Sequence, residues 1–108
     1  MNFCPKISVI IPTYNRSEYL IKIIAKISHS RIPNEIIICD SNSKDHTKEK
    51  IKKIQSDHKN QVIRYINIQK NINSIKRNIG IKIAKSKYVI FLDDDCIPED
   101  KFLENYYK

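Results

Sequence analysis

Glycine is almost missing from this 108-residue chain, which contains only Gly80. Loops that cradle phosphates need several glycines, because only a residue without a Cβ lets successive backbone N–H groups close on a pyrophosphate at a helix start. A single glycine excludes a Walker loop, a dinucleotide-binding fingerprint and the Gly-rich, Arg-containing loop of sugar nucleotidyltransferases. Cysteine is scarce too. Cys4, Cys39 and Cys96 are odd in number, far apart and never in a Cys-x-x-Cys pair, which argues against a disulfide framework or zinc site and fits a reducing cytosol. Cys96 follows carboxylates that disfavour its thiolate, so it reads as inert. His29, His46 and His58 stand alone in polar surroundings, without metal-ligand spacing, and read as surface residues.

Tryptophan is absent and arginines are few, although the net charge is +8. The surplus is mostly lysine spread over polar helix faces, whereas nucleic-acid binders interleave arginine and aromatics on one surface, so no nucleic-acid partner is expected. A peripheral contact with an anionic membrane surface stays open. No apolar run approaches the roughly 18 to 20 residues that span a bilayer, and Met1-Asn2-Phe3-Cys4-Pro5 lacks the basic and apolar parts of a leader. The expected location is the cytoplasm, with any membrane contact at its inner face.

What remains is an ordinary globular composition, 41% apolar and 30% charged, in a length that suits one domain over residues 1–108. Ile7 to Ile11 is a short apolar run ended by Pro12, as in a parallel strand buried on both faces. Asn15 stands three residues before Glu18, a capping-box spacing, and Leu20, Ile23, Ile24 and Ile27 follow at helical intervals to about Ser28. Glu35 to Asp40 is a second buried strand. A lysine-rich helix anchored by Ile51 and Ile54 follows, then a third strand at Val62 to Ile66, placed at an edge by its alternation. Asn73 to Lys85 carries Ile75, Ile79 and Ile83 as a further helix. Tyr88 to Leu92 is the strongest apolar run, and Glu99 to Tyr107 reads as a last helix with Pro98 near its first turn.

Strand and helix alternate throughout, which predicts an α/β fold with a mostly parallel sheet, right-handed crossovers and helices on both faces. A strand order of 3-2-1-4 would place the reversal between the first and fourth strands, so that Thr13, Tyr14 and Asp93-Asp94-Asp95 face one crevice.

Three adjacent carboxylates at the end of a buried strand repel one another unless cations offset them. Mg²⁺ and Mn²⁺ prefer oxygen ligands and commonly sit between carboxylates and phosphates, so the triplet suggests a metal-diphosphate site; a solvated acidic loop is the plain alternative. Asp40 closes its strand either as a turn cap or as an acceptor for a base or ribose. Asn42 suits a left-handed backbone, and Asp45 and Thr47 read as cap and first-turn residues. Gly80 inside a helix costs about 1 kcal/mol relative to alanine, which implies close packing on the sheet. That packing would fix the side from which Arg77 reaches the nucleotide or the acidic loop; the plain alternative is that Arg77 only solvates a helix face.

These segments resemble the N-terminal part of family 2 glycosyltransferases. The resemblance rests on Ile7-Ser8-Val9-Ile10-Ile11-Pro12-Thr13-Tyr14-Asn15-Arg16, on Glu35 to Asp40 with the turn Ser41 to Thr47, on Arg77-Asn78-Ile79-Gly80-Ile81, and on Ala84 to Asp95. It implies the Rossmann-like nucleotide-binding half of a GT-A fold and an inverting transfer. By resemblance, Pro12, Thr13 and Tyr14 would line the base and ribose pocket, Asp40 would bond the base, and Arg77 would lie near the nucleotide. Asp93 and Asp95 would be the DxD pair, with Asp93 or Asp94 touching ribose and Asp95 leading the hold on Mn²⁺ or Mg²⁺. The partner implied is a nucleotide-diphosphate sugar, a UDP-sugar by default, with a glycan, lipid or protein acceptor.

Asn42 and Ser86 stand where the family often has glycine. The family's catalytic base lies on a later segment that nothing after Asp95 matches, and Glu99, Asp100 and Glu104 are too close to the acidic triplet. The expectation is therefore a donor-binding half without its acceptor-binding half, inactive in transfer alone. The alternative is a non-catalytic nucleotide-binding module acting through a partner, and an interrupted sheet edge would favour self-association. A phosphoacceptor receiver domain needs acidic residues after its first strand, where this chain has Pro12-Thr13-Tyr14.

Overall fold

A computed structural model describes residues 4–107. Of the opening segment considered above as a leader, Met1 to Phe3 lie outside the described residues. Four strands, β1 (Ile7–Thr13), β2 (Asn34–Asp40), β3 (Val62–Asn67) and β4 (Tyr88–Phe91), form one sheet in the order β3-β2-β1-β4. All three pairings are parallel, as the alternation of elements requires. The helices between and after them are α1 (Ser17–Ser28), α2 (Thr47–Asp57), α3 (Asn73–Ile83) and the short α4 (Phe102–Tyr106). No helix among the described residues is long and apolar enough to cross a membrane.

The period-two pattern of the central strands divides the core. Ile7, Val9 and Ile11 of β1, with Ile36 and Ile38 of β2, pack under Leu20, Ile23, Ile24 and Ile27 of α1, Ile51 of α2 and Leu103 near α4's start. Ile10, Ile37 and Cys39 point the other way and meet Ile75, Ile79 and Ile83 of α3. Each fully buried isoleucine contributes roughly 1.5–3 kcal/mol. Gly80 faces Ile10, and a Cβ built there would lie 2.6 Å from Ile10 Cγ2, so the glycine is what lets α3 reach the sheet.

Several boundaries differ from expectation for identifiable reasons. β1 runs through Pro12 to Thr13 instead of stopping at Ile11. Leu92 N–H donates to the Ile10 carbonyl, so even-numbered residues of β1 turn their backbone groups toward β4. Pro12 falls just past the end of that ladder, where no N–H is required. Asn15 is not the cap of α1: it takes a left-handed φ of 52°, its amide oxygen accepts from Lys44 N–H, and the N–H of Ser17 is taken by Asp45 instead. α4 begins at Phe102, not Glu99, because Lys101 enters the left-handed region and Asp100 is drawn to Lys26. β4, the strongest apolar run, is an edge strand with Tyr88 and Phe91 exposed. Asn42 is left-handed at φ 55°, as its residue type suggested, and the three histidines are exposed.

At the N-terminal end of the strands lies a buried carboxylate that periodicity does not announce. Glu35 is 1% exposed and accepts from Ser8 Oγ at 2.5 Å, Lys85 N–H at 2.6 Å and Arg64 Nη1 at 3.1 Å. Burial alone would push its pKa up, but the Ser8, Lys85 and Arg64 contacts together hold it below its ordinary value of 4.5.

Replacing Glu35 by alanine strands these donors, and denaturant unfolding at neutral pH should show a loss of about 3 kcal/mol. Because the folded pKa is depressed, this stabilisation is complete above pH 4.5 and disappears as pH falls through the folded value. The difference between wild type and Glu35→Gln should narrow over that acid range. Gly80→Ala should destabilise by about 1–2 kcal/mol, since overpacking against Ile10 outweighs the gain in helix propensity.

Candidate functional site

The C-terminal ends of β1 and β4 lie side by side, and the loops that leave them enclose a cleft of about 500 Å³. It is lined by Pro12, Thr13, Tyr14 and Arg16 from the β1 exit, Lys76 and Arg77 from α3, Asn71 and Asn73 just ahead of them or at the helix start, and Asp93, Asp94 and Asp95. The crevice expected between the first and fourth strands is thus present. A larger groove of about 970 Å³ lies near the end of α1 and the start of α4, away from these residues.

The three aspartates are not equivalent. Asp94 is held by the β1 exit: Thr13 Oγ1 donates to Oδ2 at 3.0 Å, Tyr14 N–H donates to the same oxygen at 3.2 Å, and Arg16 Nε stands 3.5 Å from Oδ1. Asp93 and Asp95 flank it and are exposed. Asp93 meets only a long ion pair, 3.6 Å from Arg77 Nη2, and Arg77 itself lies over the Phe91 ring. One ligand atom each from Asp93, Asp95 and Cys96 fall within 4.8 Å of one another. Contacts with the β1 exit hold the middle carboxylate to the protein and leave the outer pair exposed.

That pair fits a hard divalent ion, which prefers carboxylate oxygen, better than it fits a soft one. The Cys96 thiol stands above its ordinary range, through desolvation and through the charges of Asp95, Asp93 and Asp94, and is a poor ligand for such an ion. Cys39 is buried and pushed up to about 11. Neither thiol has the character of a nucleophile.

Asp40 sits at the end of β2 with no exposed surface and does not line the cleft. Its carboxylate accepts from the Tyr65 hydroxyl at 2.5 Å and from the hydroxyl and N–H of Ser43. The Tyr65 hydroxyl is raised far above its usual range by burial and by Asp40. Ser43 in turn accepts from Asn15 N–H, so Asp40 is connected through one turn to the β1 exit. Pro12 and Thr13 are buried, and Tyr14 is exposed at the rim.

Two cations of the cleft escaped the reading of the sequence. Arg16 enters the sequence comparison only as the last residue of the first segment of the resemblance, and it pairs with Asp94, far away in the chain. Lys76 is 1% exposed, with its Nζ on the Thr13 carbonyl and on Asn71 Oδ1. Burial lowers its pKa, against the opposing fields of Asp94, Asp40 and Cys39. A lysine within an apolar helical stripe was the available signal.

The family model described as "Glycosyl transferase family 2" matches residues 8–108. This chain belongs to glycosyltransferase family 2. It is 35% identical over 109 aligned positions to the poly(ribitol-phosphate) beta-N-acetylglucosaminyltransferase TarP of Staphylococcus aureus, covering 94% of this chain and 32% of that protein. Among solved structures, a Pyrobaculum calidifontis mannosyltransferase in complex with GDP-Man and Mn²⁺ superposes with a TM-score of 0.85 at 22% identity, over 96% of this chain and 32% of the other. Staphylococcus aureus TarS 1-349 in complex with UDP superposes with a TM-score of 0.82 at 24% identity, over 94% and 30%. The family 2 chain therefore has a GT-A fold and spans about a third of the length of each of these relatives.

The unequal roles of the aspartates are open to amide exchange. In Asp94→Ala, the Tyr14 amide should lose its acceptor and exchange at least about tenfold faster by NMR, corresponding to about 1.4 kcal/mol. Asp95→Ala should leave that amide unchanged.

Proposed function

We propose that residues 1–108 are the donor-binding half of a glycosyltransferase, which binds a nucleotide-diphosphate sugar through a divalent cation. The observation that carries this reading is the division of labour in the acidic triplet. Asp94 is tied to the β1 exit, while Asp93 and Asp95 stand exposed beside it in a cleft that also holds Arg16, Lys76 and Arg77. The cations roughly balance the carboxylates. A divalent ion on Asp93 and Asp95 would tip the cleft positive, as a diphosphate requires in a chain with no glycine loop. When bound, Mn²⁺ or Mg²⁺ would supply Lewis-acid stabilisation of the charge that develops on the departing nucleoside diphosphate.

The remaining roles follow from placement. Pro12, Thr13 and Tyr14 form the wall for base and ribose, with the Tyr14 side chain at the rim. Arg77 releases its long contact with Asp93 and serves the nucleotide. Asp40, buried behind that wall, becomes the acceptor for a base N–H when the Ser43 turn moves aside and frees one of its bonds. A UDP-sugar is the default donor. The nucleotide complexes of the Pyrobaculum and Staphylococcus structures support the class, one with GDP-Man and one with UDP. The catalytic base and the acceptor site are assigned to segments outside residues 1–108. The lysine-rich surface suits a cytoplasmic protein that touches the inner face of an anionic membrane.

Calorimetry with UDP or GDP should give binding that requires Mn²⁺ or Mg²⁺. Asp93→Asn and Asp95→Asn should each weaken it by more than about tenfold, which is ~1.4 kcal/mol. Metal-independent nucleotide binding, or none, would contradict the proposal. Sugar transfer measured on residues 1–108 with a radiolabelled donor should be absent, and observed transfer would overturn their assignment as a half-enzyme. Retained transfer activity in a longer chain carrying these residues separates this reading from a non-catalytic nucleotide-binding module.

A further inference from the structure

Lys76 is the one cation of the cleft that is fully buried, and its surroundings determine what its neighbour presents to a ligand. An ammonium group only donates hydrogen bonds, so the atom of Asn71 that it meets at 2.8 Å must be the amide oxygen. The two faces of an asparagine amide are otherwise interchangeable, and rotation about its last side-chain bond exchanges acceptor for donor. With Oδ1 committed to Lys76, the Asn71 NH₂ is left as the free end. It has no protein partner among the described residues, and Asn71 is exposed and lines the cleft. The same ammonium donates to the Thr13 carbonyl at 3.3 Å, beside the hydroxyl that holds Asp94.

We propose that Lys76 is a positioning residue for donor binding. From beneath the cleft it locks the Asn71 amide so that its NH₂ group meets an acceptor oxygen of the nucleoside diphosphate. The inference rests on the donor-binding reading above and adds to it a recognition contact and the residue that orients it. A free asparagine would divide its time between presenting an acceptor and presenting a donor, and an acceptor facing a phosphate or base carbonyl is repulsive. The buried ammonium removes that alternative. Its anchor on the Thr13 carbonyl also couples the Asn71 loop to the wall formed by the β1 exit.

The test is a double-mutant cycle on UDP affinity, measured by calorimetry with Mg²⁺ present. Asn71→Ala should weaken UDP binding about tenfold. Lys76→Met, of similar length but without a donor, should weaken it at least as much, and the double variant should be no weaker than Lys76→Met alone. A Lys76 that served only the fold would give additive losses. Asn71 is exposed, so its alanine variant keeps the test alive even if Lys76→Met fails to fold. An independent readout uses the ¹⁵N-labelled wild-type protein with UDP and Mg²⁺: the Asn71 side-chain NH₂ pair should shift and saturate with the same affinity as calorimetry. If the wild type binds UDP while Asn71→Ala binds equally well and the NH₂ pair is unmoved, this inference is overturned alone. If the wild type binds neither UDP nor GDP with metal, the donor-binding reading falls and takes this one with it.

Discussion

Asp94 joins two ends of the chain that are 80 residues apart, and the geometry of the cleft depends on that junction. β4 contributes only four residues to the sheet, at its edge, and beyond Leu92 the chain has no further ladder to hold it. Thr13, Tyr14 and Arg16 together capture the Asp94 carboxylate and thereby place the acidic turn beside the β1 exit. Charge-assisted contacts of this kind are stronger than neutral ones, and three on one carboxylate leave it little freedom. Asp93 and Asp95 stand exposed on either side of it in a tight turn closed by the Cys96 N–H on the Asp93 carbonyl.

The scarcity of glycine gives the arrangement its chemical logic. Without a loop of glycines the chain lacks that kind of backbone cradle for a diphosphate, and the cations of the cleft are already matched by its carboxylates. Such a cleft is nearly neutral, and the proposed divalent ion would make it positive. The one glycine present serves another end, letting α3 pack closely on Ile10, and Lys76 and Arg77 of that helix line the cleft. Packing on one face of the sheet thus places the charges that act at its end.

Much of this was legible in the sequence because it is periodic. Parallel strands, helix faces, the strand order, the left-handed Asn42 and the close approach at Gly80 follow from local patterns, and the structure has each of them. Most departures come from partners far away in the chain. Asn15 lost its capping role because Asp45, 28 residues beyond Ser17, takes the Ser17 N–H. Residues before Phe102 stay out of α4 because Lys101 turns into the left-handed region. Glu35 looked like one more strand residue until Ser8, Arg64 and Lys85 gathered around it. The acidic triplet was recognisable as a group, but the separate duty of Asp94, the place of Arg16 and the burial of Lys76 are products of tertiary contact.

The proposed donor site depends on a divalent cation held by Asp93 and Asp95. Titrating Mn²⁺ into ¹⁵N-labelled protein and following paramagnetic line broadening would locate the ion without reference to activity or nucleotide. Broadening should be strongest at Asp93 to Cys96, weaker across the neighbouring Thr13 to Arg16 loop, and lost in an Asp93→Asn, Asp95→Asn double variant. Broadening centred on other carboxylates, or spread evenly over the acidic surface, would contradict it.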